Sequence, residues 1–205
     1  MSTSLGRYGT LTLAALALAA CAKSDNTRTD TAAGSVASTD STGASAGANN
    51  RNNGNSWTEP QILGFTSVAN TSEIQEGKLG AQKATNAQVK AFARQLQADH
   101  QKMLDEGSQY ASKNNVVPDT ARDDVRDALK DASDEYKDLT DKKAGKDWDK
   151  EFVEKQVDGH QKTLDKLQQL EQSTTDTALK AMLTKAAGKV QEHLTKAQDL
   201  KKQLD

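Results

Sequence analysis

One cysteine and two prolines stand in a chain of 205 residues, and aromatic residues make up only 4%. A lone cysteine excludes a disulfide framework, so the folded part must rely on its core. So few aromatics and prolines argue against an all-β sandwich or barrel, which draws on aromatic and β-branched residues and frequent turn signals. Charge of one sign is missing too: 27 basic residues face 29 acidic ones, a formal net charge of −2. That balance lacks the basic footprint of nucleic-acid binding, and no nucleic-acid partner is expected. Long hydrophobic runs are missing as well. Leu11 to Ala20 is apolar apart from Thr12, far short of the roughly 20 residues that span a bilayer. No Gly-rich phosphate loop, cysteine pair or Ser-His-Asp arrangement is readable, so no catalytic residue is assigned and the protein is not expected to be an enzyme. What remains is 27% charged residues with abundant Ala, Lys, Gln and Leu, a composition of helices.

Residues 1–20 read as an address. Arg7 supplies a positive n-region, and the apolar stretch ends Leu18-Ala19-Ala20-Cys21, with the length and flanks of a signal-peptide h-region. The ending resembles the bacterial lipoprotein signal, in which the cysteine after a small-residue cleavage site receives a diacylglyceryl group. The resemblance implies lipidation at Cys21 and a membrane partner, held by acyl chains worth about 0.8 kcal/mol per buried CH₂. Ala22 stands where an aspartate would resemble an inner-membrane retention signal. The expected location is therefore the outer membrane, facing the periplasm.

Residues 21–56 follow as the lipidated cysteine and a linker. The linker is almost entirely Ser, Thr, Ala, Gly, Asn and Asp, with Val36 its only large aliphatic residue. With nothing to bury, it is expected to be a disordered tether. Residues 57–205 carry helical periodicity throughout and form the helical bundle domain. Five helices are expected, over about 60–84, 87–113, 119–143, 147–172 and 177–204. Thr58 with Gln61 and Thr85 with Gln88 have the spacing of capping boxes. The third helix is expected to bury Val125, Leu129, Ala132, Tyr136 and Leu139, with its charged remainder solvated.

Four polar residues sit where apolar ones are due. All three histidines, His100, His160 and His193, lie on apolar stripes of separate helices, and Glu73 lies on the stripe of a fourth. Each falls at mid-depth of its helix, about 13 to 16 residues in. If helices 1, 2, 4 and 5 form a bundle, the four groups converge in one layer. Helix 3 then serves as a long crossover that returns the chain along the bundle, so that helix 4 runs parallel to helix 2. This is ferritin-like connectivity, and a five-helix up-down array is the alternative. The fold class is all-α: a ferritin-like four-helix bundle with an additional long crossover helix.

Several segments resemble a bacterial family known as domain of unknown function 4142. They are Phe65 to Ala69, Glu73-Ile74 through Gly77-Lys78-Leu79, Val89 to Ala93, Asp99-His100, Gln156-Val157 with His160, and His193-Leu194. The resemblance covers about residues 60–200. It implies a secreted or lipid-anchored helical protein of ferritin-like fold and brings no activity with it.

Imidazole and carboxylate suit zinc, iron, manganese or copper. A ferritin-like di-iron site needs Glu-x-x-His motifs, and the residues three before the histidines are Gln97, Val157 and Val190. The sequence disfavours that site. One divalent transition metal held by Glu73, His100, His160 and His193 stays open, and so does a polar layer satisfied by its own hydrogen bonds. Asp99, Asp158 and Glu192 stand beside the histidines as groups able to orient them. Two functions follow: a membrane-anchored lipoprotein carrying a binding or structural module, or a metal-binding or redox protein. No protein or ligand partner is identifiable.

Overall fold

The computed structural model describes residues 56–205. The expected signal peptide at 1–20, Cys21 and the linker up to residue 55 lie outside the described residues. Within them the protein is all-α, with helices α1 (Glu59–Lys83), α2 (Ala87–Asn114), α3 (Asp123–Asp141), α4 (Lys146–Ser173) and α5 (Thr177–Leu204). None of these helices is long and apolar enough to cross a membrane.

Local chemistry sets the ends. The Thr58 N–H donates to Gln61 Oε1 at 3.1 Å, the Gln half of the box expected there. The second box does not form. Asn86 caps α2, its side chain accepting from the Gln88 and Val89 N–H groups. Thr85 is taken by the buried Asp149, whose carboxylate accepts from Thr85 Oγ1 and N–H and from the Asn86 N–H. One carboxylate at the start of α4 thus clamps the α1–α2 turn. At the far end of α2, Asn115 adopts φ 54°, the left-handed conformation that closes a helix.

α1 packs most extensively against α2, and α4 against α5, while α2 touches α5. Contacts taken two at a time show each of these neighbours, and α1 with α4, to run antiparallel: Glu59–Tyr110 with Asn70–His100, Lys150–Asp205 with Glu171–Thr184, Asp99–His193 with Glu106–Lys185, and Glu73–His160 with Glu76–Gln156. α2 and α4 are therefore parallel. α3 lies against α1 and more lightly against α4. It starts near the head of α1, where Asp119 N–H donates to Pro60 O. It ends beside the tail of α1, where Lys83 Nζ donates to the carbonyls of Leu139, Thr140 and Lys142. A cation there also meets the negative end of the α3 dipole.

α3 differs from its sequence reading in two ways. It spans 19 residues, about 28 Å, because the Asp119 backbone is engaged with α1 before the helix begins. It is also rotated. Val125 and Leu139 are buried, whereas Leu129 is 51% and Tyr136 36% exposed. The face turned inward carries Ala128, Ala132 and Glu135, which are half-buried.

The core has two apolar clusters. One holds Ile62, Phe65, Val125, Leu164, Leu167, Leu179 and Val190. The other holds Phe92, Leu96, Leu139, Trp148, Phe152, Ala197 and Leu200. Each large side chain fully buried in them contributes about 1.5–3 kcal/mol. Close approach of α1, α2 and α4 depends on Gly80, where a Cβ would stand 2.7 Å from Ala93 Cβ and 2.9 Å from Phe152 Cζ. The buried residues that belong to neither cluster include Glu76, His100, Gln156, His160 and His193.

Candidate metal centre

The three histidines come from the middles of α2, α4 and α5 and are 2%, 1% and 0% exposed. Their ring centroids lie 5.2 to 5.6 Å apart. One ring nitrogen of each lies within 4.8 Å of those of the other two. The apolar stripes on which they sit turn them to a common point, because the helices that carry them bury the same faces.

Each ring is held from outside by one nitrogen. His100 Nδ1 is 2.9 Å from Asn70 Oδ1. The Asn70 amide N–H donates to Thr66 O, which fixes its oxygen toward the ring. His160 Nδ1 is 3.0 Å from the Gln156 carbonyl. His193 Nε2 is 2.8 Å from Asp99 Oδ2. All three partners are acceptors, so each of these nitrogens carries the proton. The other nitrogens, His100 Nε2, His160 Nε2 and His193 Nδ1, are buried without a hydrogen-bond partner. Buried polar atoms are ordinarily satisfied, and an orphan costs roughly 1–3 kcal/mol. Here three lone pairs are orphaned together.

Charge follows the same pattern. Burial, aided by its two histidine neighbours, pushes the His100 pKa well below the ordinary value of 6.5. Burial brings His160 down to about 4, against the raising effect of the Gln156 carbonyl. Burial lowers His193 as well, although Asp99 opposes it. At neutral pH all three are neutral, and the second nitrogen of each ring is a base.

Glu73 is beside this group and not within it. Its Oε1 is 3.7 Å from His160 Nδ1, too long for a hydrogen bond, and 16% of its side chain is exposed. Its Oε2 has no partner. Burial raises its pKa to about 7, against the lowering effects of His193 and Gln156. The acids expected beside the histidines separate: Asp99 orients His193 rather than its neighbour His100, and Glu192 pairs with Lys189 at the surface.

Sequence reasoning missed Asn70, Glu76 and Gln156. Gln156 donates from Nε2 to Glu76 Oε2 at 2.8 Å, and its Oε1 has no partner. Burial, followed by Glu73 and Glu135, raises Glu76 well above the usual carboxylate range. Gln156 stands one turn before His160, a spacing that carried the signal. Asn70, followed by Thr71 and Ser72, has only the pattern of a glycosylation acceptor, which says nothing of a histidine partner.

A cavity of about 540 Å³ opens alongside, bordered by side chains of all five helices, His100, His160 and Glu73 among them. Small residues keep it open, notably Ala69, Ala128, Ala132 and Gly159.

The family model described as Domain of unknown function (DUF4142) matches residues 42–200. No curated protein and no solved structure matches the chain.

Proposed function

From the premise that the chain belongs to the Domain of unknown function (DUF4142) family, we propose, on the chemistry of its site, a metal-binding module. It holds one divalent transition metal through His100, His160 and His193, with Glu73 beside them, on a lipid-anchored protein of the cell envelope.

The observation that carries this reading is a buried layer in which three histidines each bring a ring nitrogen within 4.8 Å of the other two and each keep one nitrogen without a hydrogen-bond partner. A polar layer built only for structure would satisfy itself. These histidines neither hydrogen-bond one another nor receive a hydrogen bond from Glu73. Nitrogens bound to one ion at about 2.0–2.1 Å stand roughly 3.3 Å apart. Each ring then closes in by less than about 1 Å. Held outer nitrogens and fixed tautomers are what ligating histidines ordinarily have. Three neutral imidazoles favour zinc, copper, iron or nickel over magnesium or calcium.

Helix order and direction support a ferritin-like four-helix bundle of α1, α2, α4 and α5, with α3 as the crossover. The Leu-Ala-Ala-Cys sequence before a polar linker supports an anchor at Cys21, outer-membrane location and a periplasmic domain. Binding, and no catalytic step, is proposed.

Metal content tests the reading. Protein purified without chelators from a medium with trace metals should hold about one transition-metal ion per chain. His100→Ala should hold essentially none, and Cys21→Ser should keep its metal while remaining an uncleaved precursor. Equal metal in wild type and His100→Ala contradicts the site.

A further inference from the structure

α3 sorts its charges by face. Arg126, Lys130 and Lys137 each pair with an acid three or four residues away on the same helix, Asp123, Asp134 and Asp141 in turn. Asp124 pairs with Arg122 and Asp138 with Lys155, which leaves Asp127, Asp131 and Glu135, for which no ion pair forms among the described residues. They are spaced by four, so they share one edge of the helix, and all three line the cavity that ends at His100, His160 and Glu73. Carboxylates four residues apart repel and weaken a helix. Pairing them with the helix's own bases would have removed that cost, yet those bases serve the outer acids.

The row has an inner end. Burial raises the Glu135 pKa against the nearby Lys155, and Glu73 is close enough to add to the rise, with Lys162 opposing it. Asp158 of α4 also lines the cavity, with Lys155, Lys162 and Lys166 as the cations there; Lys166 lies over the Trp57 ring, 5.1 Å from its centroid. Lys155 is engaged with Asp138 at 3.7 Å. The second, independent sign of a cation is at the end of the row, in the unpartnered Nε2 atoms of His100 and His160, both nine-tenths buried or more. Small residues on α3, Ala128 and Ala132, leave the passage beside the row open.

We propose that the row Asp127, Asp131 and Glu135 is the access path along which a hydrated divalent cation reaches the histidine cluster. It rests on the metal-binding reading and adds that the cation arrives beneath α3, between α1 and α4. Aligned carboxylates raise the local cation concentration and speed capture without being ligands at the end point. The geometry therefore separates rate from final coordination.

Stopped-flow mixing of the full-length chain with Co²⁺, followed by its visible ligand-field absorption, tests this. The variant D127N/D131N/E135Q keeps side-chain size and removes three charges. It should bind at least about tenfold more slowly at low ionic strength, with the wild-type end-point spectrum. The difference should shrink near 1 M salt, where the screening length is about 3 Å. D123N/D134N/D141N makes the same change in net charge on the outer face and should bind at the wild-type rate. The exposed single changes Asp127→Asn and Asp131→Asn provide the same test should the triple variant fold poorly, each giving a part of the slowing. Equal slowing by inner and outer variants, or none by the inner one, overturns the path while leaving the histidine site intact. Absence of any Co²⁺ spectrum in the wild type overturns the metal-binding reading itself, and the path with it.

Discussion

The three imidazoles differ in which nitrogen is free, and that difference is measurable. His100 and His160 should be Nδ1–H tautomers and His193 the Nε2–H tautomer, because Asn70, Gln156 and Asp99 offer only acceptors. Long-range ¹H–¹⁵N correlation spectra of the metal-free protein at pH 7 read this directly, and a charged ring in any of the three would contradict it. Titration gives a second check. A histidine lowered to about 4, as His160 is, stabilises the fold fully above its unfolded value of about 6.5. That contribution is lost as pH falls toward 4. Glu73, raised to about 7, acts in the opposite sense: its contribution is present below pH 4.5 and lost as pH rises through 7. Glu73→Gln removes the opposing effect. Metal-free Glu73→Gln should therefore gain stability from pH 5 to 7 more steeply than wild type, by about 1–3 kcal/mol across the window, as read from urea midpoints. The histidines and Glu73 were legible in the sequence because they interrupt apolar stripes. Asn70, Glu76 and Gln156 were not, since a polar residue beside a stripe reads as surface until the facing helix is known.

Helix pairing rests on shape as much as on apolar area. At Gly80 the room for a side chain is already taken by Ala93 and Phe152. Gly80→Ala should cost about 1–3 kcal/mol in thermal or urea unfolding, despite the better helix propensity of alanine. Gly188→Ala in α5, where nothing lies within 4 Å, should gain up to about 1 kcal/mol. The contrast separates tight packing from propensity. Four helices were readable to within a residue or so because their stripes are continuous and their ends carry turn residues. α3 was not. Leu129 and Tyr136 complete a plausible heptad with Val125 and Leu139, and periodicity alone cannot tell this from the face through Ala128 and Ala132. The small face wins because α1 and α4 leave room for alanine and for a cavity, while the large residues remain outside.

Across the whole molecule, a buried polar layer separates two apolar clusters that would otherwise form one. Burying groups without partners works against stability, and the fold tolerates it where three helices bring three imidazoles to one point. Composition and periodicity announced that layer, but not that the histidines would leave each other unsatisfied, nor that Glu73 would stand apart. Those are matters of ångströms, set by side-chain direction. The most direct measurement is anomalous diffraction at the zinc edge from crystals of the chain grown with one equivalent of Zn²⁺. The expected result is one strong peak among His100, His160 and His193, with nitrogen distances near 2.0–2.1 Å. A peak confined to the surface carboxylates, or none among the three rings, would contradict the account.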